Sequence, residues 1–159
     1  MIKVTVEPWI EPPLRRFVED SGVSLALLLH PSGQVFAQYG FSRAMDIMSA
    51  CALAAAIQVS SAELGRMLDG RPFSELHHAG KERQVFLSEA QTRRGPYIFL
   101  AVFDEGSSLG LVRVYFDEFR TNLANAAPAL VPVDSSRPML NENFERELNR
   151  NLAALFGRA

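Results

Sequence analysis

Cysteine is almost missing from this chain. Cys51 stands alone, so no internal disulfide framework holds the fold, and stability has to come from a packed core. With 48% hydrophobic residues in a chain of 159, one such core is within reach without staples. Histidine is nearly as scarce. His77 and His78 are adjacent in a segment expected to be extended, so they point to opposite faces, and His30 has no nearby cysteine or paired carboxylate. No metal site and no cofactor are expected. An excess of basic charge is lacking too: the formal net charge is −2 and the basic residues are scattered, which excludes the electrostatic footprint of a nucleic-acid binder.

Long apolar runs are equally wanting. The longest uncharged stretch, residues 47–62, contains Ser49, Gln58, Ser60 and Ser61 and falls short of the ~20 apolar residues that span a bilayer, so no membrane insertion is expected. The first residues lack the basic-then-apolar build of a signal peptide. With a lone thiol, these features make a reducing cytoplasm the expected compartment.

What is present is a regular alternation of elements. Pro12 and Pro13 suit the first turn of a short helix that ends near Ser21 and Gly22. Residues 23–29 and 34–39 read as two strands joined by the turn residues Pro31, Ser32 and Gly33. Residues 44–69 are rich in alanine, methionine and leucine without a break, which predicts a helix roughly 39 Å long. Residues 73–79 are expected to be extended and 84–90 to form a third main strand. Residues 97–116 read as two further strands around the turn 104–108. Ile98 to Phe103 offers no polar face, so helices have to cover both sides of the sheet. Phe119, Leu123 and Ala127 then recur at helical spacing up to Pro128. The expected organisation is a domain over 1–127, a Pro- and Val-bearing linker over 128–140, and an amphipathic helix over 141–159. Phe144, Leu148, Leu152, Leu155 and Phe156 form the apolar stripe of that terminal helix.

The long helix is unusual on both sides. At about 100° per residue, Leu53, Ile57, Leu64 and Leu68 fall in one sector, the natural contact with the sheet. Opposite them lie Met48, Ala52, Ala55, Val59 and Ala62, with Cys51 and Gln58 at the edge, where a solvated helix would carry lysine and glutamate. Such a face needs cover, either from the terminal helix of the same chain or from another protein surface.

A catalytic set is not found. Cys51 sits among alanines in a helix interior, where a thiol packs rather than reacts. Residues 65–72 echo a phosphate loop only superficially, with Arg71 and Pro72 where lysine and a hydroxyl are required. Arg93, Arg94, Asp104 and Glu105 read as solvated turns.

The element order, the alanine-rich central helix, the turn Gly80-Lys81-Glu82 and the passage from Phe103-Asp104 to Ser108-Leu109-Gly110-Leu111-Val112-Arg113 resemble the roadblock/dynein light chain family. Within it, the likeness is greatest to the bacterial MglB proteins. The resemblance covers about residues 14–127 and implies an α+β, three-layer α/β/α sandwich around a five-stranded antiparallel sheet. It implies a homodimer formed through the long helix, with Cys51 and Gln58, and through the third main strand at Gln84, Val85, Phe86 and Leu87. It further implies a protein partner, a Ras-like small GTPase of the MglA type, docked on Met48, Ala52, Ala55, Ala56, Val59 and Ala62. The activity implied is stimulation of GTP hydrolysis by remodelling the partner's switch regions, without an arginine finger and with the active site in the partner. A non-catalytic scaffold or adaptor in polarity or motility would use the same surface.

Overall fold

The computed structural model describes residues 2–4, 7–41, 43–128, 146–147 and 149–154. The chain divides into two units, Met1–Ala129 and Leu130–Ala159. In the first, the elements are β1 (Ile2–Val4), a single 3-10 turn (Pro8–Ile10), α1 (Glu11–Ser21), β2 (Leu25–Leu29), β3 (Val35–Tyr39), α2 (Ala44–Asp69), β4 (Glu75–Ala79), β5 (Gln84–Thr92), β6 (Gly95–Phe103) and α3 (Leu109–Ala126). In the second, residues 146–147 and 149–154 are helical.

All strand pairs are antiparallel, in the order β1-β3-β2-β6-β5-β4. The expected five-stranded sheet is therefore present, with β1 added as a sixth strand at one edge. Three residues are too few to show a period, and β1 escaped the sequence pattern for that reason. The fold is a three-layer sandwich, α1 and α3 on one face and α2 on the other.

The two faces are filled differently. Residues of β6 alternate: Tyr97, Phe99, Ala101 and Phe103 point to α1 and α3, while Ile98 and Leu100 point to α2. On the first face Phe99 is ringed by Phe17, Phe116 and Phe119 at centroid distances of 4.9, 5.1 and 5.0 Å. Each such aromatic pair adds about 0.5–1.5 kcal/mol beyond area burial. On the second face the sheet supplies the bulk, Leu27, Leu29, Leu87 and Ile98, and the helix answers with Cys51 and Ala54.

Two expectations are corrected. Residues 109–116 are not a strand but the first half of α3. Ser108 caps that helix, its Oγ accepting a hydrogen bond from the Leu111 amide at 3.2 Å. Val112, Phe116, Phe119 and Leu123 then make one buried helical stripe, whereas Leu111 and Val114 project into solvent. The strand count is preserved because residues 75–79, expected only to be extended, pair fully with β5.

The second correction concerns the rotation of α2. Leu53 and Leu68, expected against the sheet, are 64% and 67% exposed, and Ile57 and Leu64 are exposed as well. Cys51, Ala54, Gln58 and Gly65 face inward instead. Large side chains already project from the sheet here, and small ones on the helix let the two layers approach closely. Gly65 permits the tightest approach: a Cβ there would meet the Phe73 amide and stand 2.7 Å from the Arg71 carbonyl oxygen.

Ser108→Ala is expected to lower stability by about 0.5–2 kcal/mol, read as a shift in urea midpoint at unchanged slope. A change within error would mean that the cap does not start a helix at this position.

Candidate functional site

Among the described residues, the most exposed apolar surface lies on α2. Met45, Met48, Leu53, Ile57, Val59, Leu64, Met67 and Leu68 all project from it, Met48 at 71% and Val59 at 65% exposure. Such a belt on one helix exceeds scattered surface hydrophobicity and is the candidate for an association site. By length and composition Met45–Asp69 is also long and apolar enough to cross a bilayer. Counting only the uncharged stretch missed this, because the helix continues through Asp46, Glu63 and Arg66. In this fold its other side is already committed to the sheet.

The belt has two flanks. Projected at about 100° per residue, Leu53, Ile57, Leu64 and Leu68 lie to one side of the outermost line, and Met48, Ala52 and Val59 to the other, with Ala56 between. Of the residues expected to meet a partner, Met48, Ala52, Ala56 and Val59 are exposed, while Ala55 and Ala62 are half-buried at the margin.

The residues expected at a dimer contact fare worse. Cys51 is 2% exposed and Gln58 8%, both turned toward the sheet of their own chain. Gln84, Val85, Phe86 and Leu87 belong to β5, which pairs with β4 on one side and β6 on the other, so it cannot continue the sheet into a second copy. Phe86 and Leu87 are buried in the core. Among the described residues, the open edge on this side of the sheet is β4, at the opposite end from β1, and its unpaired backbone groups are a template for another strand. Order in a sheet is not legible from local sequence; the half-polar pattern of Glu75-Leu76-His77-His78, ordinary for an edge strand, was the available signal.

Side chains fix this edge to the body. Arg113 of α3 is ion-paired with Glu75. His77 lies 2.8 Å through Nε2 from Gln84 Oε1 and stacks on Phe103 with centroids 6.3 Å apart. Among the described residues no group of three or more histidine, cysteine or acidic side chains is placed to hold a metal. Of the terminal stripe, Phe144, Leu148, Leu155 and Phe156 lie outside the described residues, and Leu152 is exposed on its helical segment.

No family model matches this sequence, and no curated protein matches it. Solved structures do. MglB of Myxococcus xanthus superposes with a TM-score of 0.68 at 20% identity, covering 76% of this chain and 96% of its own. The gliding protein MglB of Thermus thermophilus gives 0.67 at 23% identity, covering 78% and 94%. A Roadblock/LC7 domain of Streptomyces avermitilis gives 0.61 at 14%, covering 70% and 91%. The chain therefore has the roadblock fold as MglB displays it.

Burial pushes the Cys51 thiol pKa up, because the thiolate would lose its hydration among apolar neighbours. In native protein the thiol is expected to resist a disulfide reagent at neutral to mildly alkaline pH, and to react with one equivalent once guanidinium unfolds the chain. Rapid reaction of the folded protein would contradict the inward rotation of α2.

Proposed function

We propose that this chain is a homodimeric regulator of a Ras-like small GTPase of the MglA type, acting as a GTPase-activating protein. The observation that carries the reading is the uncovered apolar belt on α2 of a roadblock fold. Two copies join through the bulky flank, Leu53, Ile57, Leu64 and Leu68, with β4 of each extending the sheet of the other. This arrangement satisfies a sheet edge and buries leucine and isoleucine in one step. The flank of smaller side chains, Met48, Ala52, Ala56 and Val59, is left to the GTPase, with Ala55 and Ala62 at its margin.

Activation on this reading is a matter of differential binding. A flat surface of small apolar side chains contacts the switch segments better in one conformation than another, and the population shifts toward the form competent for hydrolysis. No side chain has to enter the nucleotide site, so catalytic groups remain the partner's own. The domain division 1–127, 128–140 and 141–159 fits the same scheme, the terminal helix serving as a tethered second contact on the GTPase. The 13 residues of the linker 128–140 reach roughly 40 Å when extended.

With a purified MglA-type GTPase and GTP, substoichiometric dimer should accelerate phosphate release. Val59→Arg should abolish the effect while leaving the dimer intact, since an unpaired charge buried in the interface costs several kcal/mol. Binding without acceleration would reassign the protein as an adaptor. Leu53→Arg should yield a folded monomer by sedimentation, and a dimer that persists would move the self-contact off this flank. Removing residues 141–159 should leave the dimer folded and weaken regulation; full regulation after truncation would remove the tail from the mechanism.

A further inference from the structure

Gln58 is out of place. It sits in the middle of the inward side of α2, between Ala54 and Ala62, where neighbouring positions pack as Cys51 and Ala54 against Leu27, Leu87 and Ile98. It is more than nine-tenths buried, and among the described residues no hydrogen bond reaches its side-chain amide. The amide is not sealed: the buried side-chain polar atom left without a hydrogen bond among the described residues is Ser21 Oγ, so the polar atoms of Gln58 look out into the space that they line.

The amide lines a cavity of about 230 Å³ that opens between α2 and the sheet beside the β2–β3 turn. Its walls are Pro31, Val59, Ala62 and Ile98, and Arg66 and Glu89 stand at its rim. Both rim charges are already engaged, Arg66 with Glu63 at 3.0 Å and Glu89 with the Gln91 side chain. An apolar chamber with one unused amide therefore asks for an apolar body ending in a neutral hydrogen-bonding group. The volume lies below the ~300–1,000 Å³ of sites for whole small molecules and suits one large side chain.

We propose that this cavity is a receptor pocket for a tyrosine side chain of a protein partner, the ring held by Pro31, Val59, Ala62 and Ile98 and the phenol bonded to the Gln58 amide. Tyrosine is among the residues that anchor interfaces by filling such pockets, because it brings a large rigid surface with little rotamer entropy to lose. A guanidinium or ammonium group would have to carry its charge past the rim to a neutral amide, and burying a charge without a charged partner is costly. Val59 belongs both to the pocket and to the exposed flank of α2, so an occupant arrives from that flank. That the tyrosine belongs to the GTPase rests on the docking reading above; the pocket's preference does not.

The test uses full-length protein with no partner present. N-acetyltyrosinamide and N-acetylphenylalaninamide are titrated separately while the Gln58 side-chain amide and the Val59 and Ile98 methyl signals are followed by NMR. The tyrosine derivative should give saturable shifts at these groups and bind roughly 2- to 10-fold more tightly than the phenylalanine derivative, the worth of one net hydrogen bond. Gln58→Leu and Gln58→Met, the second nearly isosteric, should both erase the preference while keeping the native methyl spectrum. Equal affinity for the two probes overturns the proposal, as does a preference that survives both substitutions. Absence of saturable shifts overturns it as well, including the case in which a second copy already fills the cavity. Because no GTPase is in the tube, these outcomes are independent of whether phosphate release is accelerated.

Discussion

Strand β6 has to be dry on both faces, and the rest of the molecule is placed by that demand. Phe99 on one side and Ile98 on the other are both buried, so neither layer of helices is optional. The two layers meet the requirement by opposite divisions of volume. Under α1 and α3, helix and sheet both contribute aromatic rings, and Phe17, Phe99, Phe116 and Phe119 interlock. Under α2, the sheet contributes branched side chains and the helix yields.

This second division is what leaves an apolar surface on the outside of the helix. A helix that turns Cys51, Ala54 and Gly65 inward leaves most of its large side chains, with Ala52 and Ala56, on the outside. The apolar belt of α2 is thus not an addition to the fold but the complement of how the helix packs. The edge strand β4 follows α2 directly and is anchored by the Arg113–Glu75 pair. Helix belt and open sheet edge accordingly lie in the same unit of the chain.

Most elements were legible because each was written locally. Pro12 and Pro13 begin α1 and Gly22, at φ 71°, ends it. The strand run 25–29 and its partner were marked by turn residues. What escaped was written elsewhere in the chain. Leu111-Val112-Arg113-Val114 looks like a strand by its β-branched content, and only the cap at Ser108 together with the stripe through Phe116, Phe119 and Leu123 reveals the helix. For α2 the sequence is apolar all round, so periodicity names the helix but cannot choose its inner side; the choice depends on volumes supplied by Leu27, Leu29, Leu87 and Ile98. The order that puts β4 rather than β5 at the edge is likewise a property of the assembled sheet. The exposure of Met48, Ala52, Ala56 and Val59 follows from the lack of lysine and glutamate on that side, whereas the places of Cys51, Gln58 and residues 84–87 were misjudged because the rotation of α2 and the strand order both bear on them.

Gly65 carries a consequence for how this protein tolerates change in length. Because the backbone of Arg71 and Phe73 rests against it, the helix is clamped at one rotational phase near its end. A single residue inserted between Ala44 and Gly65 would turn everything upstream by about 100°. Cys51 and Ala54 would be swung from the sheet, and large side chains driven into their place. Seven residues, close to two full turns, would disturb the phase by only about 20°. Insertions and deletions in this helix should therefore survive, in relatives or in engineered variants, only in steps near whole turns, while point substitutions on its outer flanks leave that phase untouched.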